Sequence, residues 1–341
     1  MRKVFIFGLA LLILVSGASS VFAGGGREGR GGGANELTLY FSHAAGWTDP
    51  IIREFTDRTG IRVHQVSAGT GALAARIRAE SANPMADVLW GGNPDAYVMI
   101  YDLLEQHTPR DLHLLVPGSF DPGHRWFGTS IDPMVIIYNP RLVPPADVPR
   151  GWGDLAHPRF RGMVAHANPV TSGSAFMALF IQLKTMGGDN EVGWGYMDDF
   201  VRNLDGRLLS SSSGTFRGVS AGEFMVGITY EEAALMYQAY EADLRVVYPI
   251  EGSSRVPSPI AIVRGGRNTE NARLFVDFIL SRDVQSLLGD VHRRTVRTDI
   301  TLPAAMLPNE QLGDLYYDTD WISANRERIM DNWRDIIVRH Q

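Results

Sequence analysis

Three short runs of small and hydroxyl-bearing residues stand where helices are expected to begin: Gly69-Thr70-Gly71, Thr171-Ser172-Gly173-Ser174 and Ser211-Ser212-Ser213-Gly214-Thr215. A helix N-terminus leaves backbone N–H groups unpaired and carries the positive end of the helix dipole, so it can hold an anion without Lys or Arg. Small residues let a phosphate come close, and hydroxyls add donors. Each run alone is explained by ordinary capping. Three of them, spread over both halves of the chain, are expected to converge on one cleft.

Further polar residues fall at predicted strand ends. Ser42 and His43 follow the first strand, with Trp47 close behind; Tyr230 and Glu231 follow the strand "FMVGITY". A carboxylate there could accept hydrogen bonds from ligand hydroxyls or pair with an amine, although Glu231 and Glu232 also suit the start of a helix. Gly218-Val219-Ser220-Ala221-Gly222 matches the G-x-S-x-G pattern of a hydrolase nucleophile. That motif needs a strand before the serine and a helix after it, and here the order is reversed, so hydrolysis through Ser220 is a remote alternative. The chain has no P-loop, and its nine histidines are scattered without a cysteine partner, so no catalytic residue, metal site or cofactor is expected.

The elements that must position these groups alternate. "ELTLYFS", "IRVHQVS" and "ADVLWGG" read as strands, and "TDPIIREFTDRTG", Ser67–Glu80 and "NPDAYVMIYDLLEQH" as helices. Thr48 or Asp49 is a natural cap for the first helix, with Pro50 in its opening turn. This alternation predicts α/β layers with the ligand crevice at the carboxyl ends of the strands. Met134–Tyr138 is a strand next to a first crossing between lobes, "SPIAIVRGG" a strand returning to the first lobe, and "NTENARLFVDFILSRDVQSLLG" one amphipathic helix. In the tail, Ile322, Ile329, Trp333 and Ile336 share a helical face.

Of the 341 residues 45% are apolar and 21% charged, which is ample for a core, and the formal net charge of -6 argues against nucleic-acid binding. The opening "MRKVFIFGLALLILVSGASSVFA" reads as a secretory signal peptide ending at Ala23, followed by a flexible Gly-rich leader. With no cysteine, neither a disulfide nor a lipid-anchoring thiol is available.

The pieces "LTLYFSHAAGWTDPIIREFTDRTGIRV", "GTGALAARIRAESANPMADVLWGG", "MVIIYNP", "GWGDLAHPRFRG", "NPVTSGSAF" and "SAGEFMVGITYEE" together resemble periplasmic solute-binding proteins of ABC importers, in the branch of ferric-iron-binding and related proteins. The resemblance implies a two-lobed α/β fold of type II, each lobe a mixed, mainly parallel sheet flanked by helices, joined by crossing strands. On it we place a signal peptide at 1–23, a leader at 24–34, lobe 1 at 35–131 plus 256–300, and lobe 2 at 132–255 plus 301–341. It further implies a monomer in the periplasm that delivers a small solute to membrane permease subunits. Iron-binding members use an adjacent tyrosine pair where this chain has Tyr230-Glu231-Glu232, and an acidic ligand where it has Gly91-Gly92. The resemblance therefore points to a phosphorylated or phosphonate solute, with ferric iron or thiamine and its phosphates as alternatives. The expected ligand-binding set is Ser42, His43, Gly69, Thr70, Gly71, Gly91, Gly92, Thr171, Ser172, Gly173, Ser174, Ser213, Tyr230 and Glu231.

Overall fold

A computed structural model describes residues 35–43, 45–240, 243–313 and 319–340. The predicted signal peptide and leader lie outside the described residues. In chain order the first stretch contains β1 (Glu36–Phe41), α1 (Ala45–Thr59), β2 (Arg62–Ser67), α2 (Thr70–Ala79), β3 (Val88–Trp90), α3 (Pro94–Val98) and β4 (Phe127–Ile131). The middle contains β5 (Met134–Tyr138), α4 (Trp152–Leu155), β6 (Val164–Ala167), α5 (Gly173–Thr185), α6 (Glu191–Leu204), β7 (Leu208–Leu209), α7 (Ser212–Ala221), β8 (Val226–Tyr230), α8 (Glu231–Ala239) and β9 (Arg245–Val247). The last part contains β10 (Pro257–Ile262), α9 (Thr269–Ile279), α10 (Arg282–Leu287) and α11 (Thr319–Arg339).

Two mixed five-stranded sheets result, ordered β2-β1-β3-β10-β4 and β7-β6-β8-β5-β9. In the first, β1 pairs in parallel with β2 and β3, and β10 runs antiparallel between β3 and β4. Strand alternation sorts the side chains. Leu37, Leu39 and Phe41 of β1 pack with Phe55 of α1 and Phe275 and Val276 of α9, while Tyr40 turns to the opposite face among Leu73 and Ile77 of α2 and Tyr97 of α3. The second sheet repeats the scheme. Met134 and Ile136 meet α5, α6 and α11 on one side, and Val135 and Ile137 meet Val219 of α7 and Ala234 of α8 on the other.

Every β-to-α step that matters for the site leaves a strand at its carboxyl end. The chain passes between the sheets through Asp132-Pro133, between β4 and β5, and again between β9 and β10. These passages are tied together: the Asp132 N–H donates to the Val256 carbonyl at 2.9 Å, and the Ile131 N–H donates to the Arg294 carbonyl at 3.2 Å.

Three expected helices differ in extent. α1 begins at Ala45, so Pro50 lies inside it and Thr48 is buried in the helix rather than poised over its start. The helix expected through His107 stops at Val98, apart from a short 3-10 turn at Tyr101–Leu103. There the Tyr97 hydroxyl sits among the carbonyls of Leu89, Gly91 and Pro259, and Leu104 joins Val263 in an antiparallel bridge, so contacts with β10 replace helical ones. The long helix expected from Asn268 is two, because the Ser281 hydroxyl accepts from the Val284 N–H and caps α10 afresh.

Candidate functional site

Two of the three hydroxyl-rich helix starts meet. A cavity of about 430 Å³ is lined by Thr70 and Gly71 at the start of α2 and by Gly173 and Ser174 at the start of α5. Gly92 and Asn93 come from the loop after β3, Asp95, Ala96 and Met99 from α3, and Ile322 and Arg326 from α11. A volume of this order suits a small metabolite. The lining therefore joins the strand ends of the first sheet, the strand ends of the second, and the C-terminal helix.

The start of α2 is held by a hydroxyl relay. Gly69 is its N-cap in extended conformation, and the Thr70 hydroxyl donates to Ser42 Oγ at 2.9 Å. Gly91 and Gly92 have φ of +101° and +83°, the left-handed region that favours glycine. A Cβ on Gly91 would stand 2.8 Å from the His43 ring, and one on Gly92 would collide with Thr70. Glycine is thus required here to let the loop lie against His43 and Thr70. Gly71 and Gly173 differ, since a Cβ on either would meet nothing within 4 Å. Their backbone faces open space.

At α5 the residues divide the work. Ser172 is buried; its hydroxyl accepts from the Ala175 N–H at 3.3 Å and shares a 3.0 Å hydrogen bond with Ser174. Ser172 is therefore the cap, and Ser174 lines the cavity. Thr171 lies outside the lining, within 3.3 Å of the Asn168 and Ser210 carbonyls. Ser213, at the start of α7, is 3.1 Å from Ser211 and also lies outside the lining. Ser220 sits near the end of α7, so a helix and not a strand leads into it, and the geometry of a nucleophile elbow is missing.

His43 and Tyr230 belong to a neighbouring polar cluster at the crossing strands. The His43 ring packs edge-on against Trp47 and Trp90, with Nε2 3.4 Å from Ser258 Oγ. Burial first, and then the nearby Arg293, hold its pKa well below the usual histidine value, so the ring is neutral. Burial likewise raises the Tyr230 phenol, helped by Asp132. Arg293 stacks 4.6 Å over Trp47, bonds Ser130 at 3.2 Å and Asp132 at 3.4 Å, and pairs with Glu232. Desolvation outweighs that pairing and lifts Glu232 to about 7.

Glu231 is placed away from the cavity. Its carboxylate is buried and receives two 2.6 Å hydrogen bonds from the Arg294 guanidinium and a third from the Tyr248 hydroxyl. The same Arg294 donates to the Leu307 carbonyl at 2.5 Å and Asn309 Oδ1 at 3.0 Å. This knot ties α8 to the segment leading towards α11. Among the described residues, no group of three or more His, Asp or Glu side chains is placed to hold a metal ion.

Asn93, Asp95 and Arg326 line the cavity without belonging to the set expected from the sequence. One signal was present. Ile322, Ile329, Trp333 and Ile336 form a buried stripe along α11, and position 326 falls on that stripe as an arginine. A cation at a core-facing helical position needs a partner, and here it has an aromatic face and a carboxylate: Arg326 lies 3.8 Å over the Phe176 ring and 3.9 Å from Asp95.

Comparison with known proteins gives a consistent picture. Residues 102–321, more than half of the chain, match the family model described as bacterial extracellular solute-binding protein. Iron uptake protein A1 of Synechocystis sp. is 26% identical over 278 residues, spanning 76% of this chain and 74% of its own. A periplasmic protein of Salmonella typhimurium named for 2-aminoethylphosphonate binding is 24% identical over 261 residues, spanning 75% of each chain. The periplasmic binding protein AfuA from Actinobacillus pleuropneumoniae, solved with exogenous fructose-6-phosphate bound, superposes with a TM-score of 0.76 at 25% identity, covering 89% of this chain and 98% of its own.

Proposed function

The chain belongs to the bacterial extracellular solute-binding proteins, which bind rather than transform their ligands, and from that premise we propose that its cavity captures a small solute through a phosphoryl or phosphonate group. The solute is then delivered in the periplasm to an ABC permease. The observation that carries this reading is the convergence of two helix N-termini, α2 and α5, from different sheets onto one cavity. Their unpaired N–H groups and the Thr70 and Ser174 hydroxyls supply neutral donors suited to an anion that must later be released. Movement about the crossing strands would close the two sheets on the solute. The aminoethylphosphonate name of one relative and the sugar phosphate bound in AfuA support the same chemistry.

The iron reading has less support in the residues. Gly91-Gly92 bring no carboxylate, Glu231 is engaged by Arg294, and Tyr230 has no adjacent tyrosine. Hard ferric iron requires several anionic oxygens.

Thermal melting of ligand-stripped protein tests the proposal, with hexose phosphates, 2-aminoethylphosphonate, thiamine phosphate and ferric citrate as probes. A ligand at about 100 times its Kd stabilises by about 2.7 kcal/mol, enough for a shift of several degrees. A shift with a phosphorylated or phosphonate solute is expected. Ser174→Ala should weaken that solute about 3- to 10-fold, whereas Ser172→Ala should mainly cost about 1 kcal/mol of stability through the lost cap. A shift with ferric citrate alone refutes the reading.

A further inference from the structure

At the crossing strands one guanidinium serves two carboxylates. Arg293, on the segment that follows α10, bonds Asp132 at 3.4 Å and pairs with Glu232 on α8. Its face lies on Trp47, and another N–H reaches Ser130. The side chain is 10% exposed, so a single positive charge is divided where water screens poorly. The two carboxylates are not equal. Asp132 also accepts from the Ser130 hydroxyl at 3.0 Å, whereas Glu232 is met by Arg293. Burial outweighs that pairing, Asp132 adds to the effect, and the Glu232 carboxyl is lifted to about 7. The cluster is electrically continuous with the cavity. Burial first, then Asp132, Asp95, Arg293 and Glu232 act together on the Tyr230 phenol at the end of β8, and Asp95 lines the cavity. His43 faces the same guanidinium from the first sheet. Glu231 turns instead to Arg294 and Tyr248.

We propose that Glu232 is the charge-compensating residue of the cleft: an anionic solute is captured together with a proton, which Glu232 takes up while Arg293 stays with Asp132. This rests on the phosphoryl or phosphonate reading of the cavity. The reason is electrostatic. A negative charge arriving near a carboxylate favours its neutral form. Arg293, already divided between two carboxylates, cannot match a third anion. Tyr230 is neutral already, and His43 starts too far below neutrality to gain a proton. Asp132 is doubly held, by Arg293 and Ser130. Glu232 is left as the group poised to respond. The complex then binds more protons than the free protein, so affinity falls as pH rises above 7.

Calorimetric titration of the full chain with fructose-6-phosphate and 2-aminoethylphosphonate, in two buffers of different ionisation enthalpy, counts the proton directly. At pH 7.5 the wild type should take up about half a proton or more per solute. Its affinity should fall about 3- to 10-fold between pH 6.5 and 8.5. A phosphate monoester loses its second proton near about pH 6, so a site that merely preferred the dianion would show the opposite trend. Glu232→Gln keeps the neutral shape of the protonated acid. It should bind without proton uptake, with an affinity flat in pH and about 3- to 10-fold tighter than wild type at pH 8.5. Asp132→Asn, which leaves Arg293 to Glu232 alone, should also cut the uptake and provides a check that does not alter Glu232. Melting curves establish that each variant is folded. No uptake by the wild type, an affinity that rises with pH, or an uptake untouched by both substitutions overturns the inference and leaves the anion reading standing. A folded Glu232→Gln that binds neither probe does the same, because the complex requires the neutral form. Binding of neither probe by the wild type removes the anion reading and this inference together.

Discussion

The buried knot around Glu231 provides a test of which carboxylate serves structure and which serves ligand. Replacing Arg294 by Met keeps much of the side chain's length and removes both 2.6 Å hydrogen bonds to Glu231, together with those to Leu307 and Asn309. Arg294 is 0% and Glu231 1% exposed, so no water stands ready to replace the lost guanidinium. Removing one partner of a buried pair leaves an uncompensated charge and typically costs about 3–5 kcal/mol. At roughly 2 °C per kcal/mol for a chain of this size, melting should fall by about 6–10 °C. The double variant Glu231→Gln/Arg294→Met buries no stranded charge and should recover a substantial part of that loss, since neutral replacements of buried pairs are often tolerated.

Differential scanning calorimetry of the wild type and both variants decides it. A single variant melting within about 2 °C of wild type, or a double variant no better than the single, would refute the reasoning. Solute affinity should survive in the double variant; its collapse would return Glu231 to the binding site.

Two further outcomes follow from the same geometry. Gly92→Ala should destabilise by about 1–3 kcal/mol, because the residue is left-handed and its Cβ would collide with Thr70, while Gly173→Ala should leave melting unchanged and weaken solute binding if the anion approaches the α5 backbone; calorimetric titration and melting of both separate the roles. His166, buried against Phe200 and Trp333 with Nε2 unpartnered, is pushed down to about 4 by burial, so its contribution is complete above about pH 6.5 and lost as pH falls towards 4, up to about 3 kcal/mol. His166→Leu should flatten the acid limb of the stability profile measured by denaturant unfolding, and an unchanged slope would contradict the assignment.

Much of this architecture is legible locally. The alternating run "LTLYF" and the continuous apolar run "MVIIY" both specify strands, and the two sheets contain them at the expected places. The elements that differ do so where tertiary bonds override propensity: beyond α3 the chain is recruited to Val263, just past the end of β10. The cavity follows the same division. Thr70, Gly71, Gly173 and Ser174 carry a local signature, hydroxyls and glycines at helix starts, and they line the cavity together. Glu231 carries an equally suggestive signature, yet its position is decided by Arg294, 63 residues away in sequence. No local pattern could reveal that partner.

Arg326 shows the opposite case. Its partner Asp95 lies far away in sequence, but the residue marks itself by standing in the stripe of Ile322, Ile329, Trp333 and Ile336. The arginine is intelligible once α11 is seen to face two ways. Along most of its length it seals the core of the second sheet, and at one turn it reaches Phe176 on its own side and Asp95 on the other. A polar interruption of a core stripe in the last helix is thus the sequence mark of an element that closes one domain and also lines the cleft beside it.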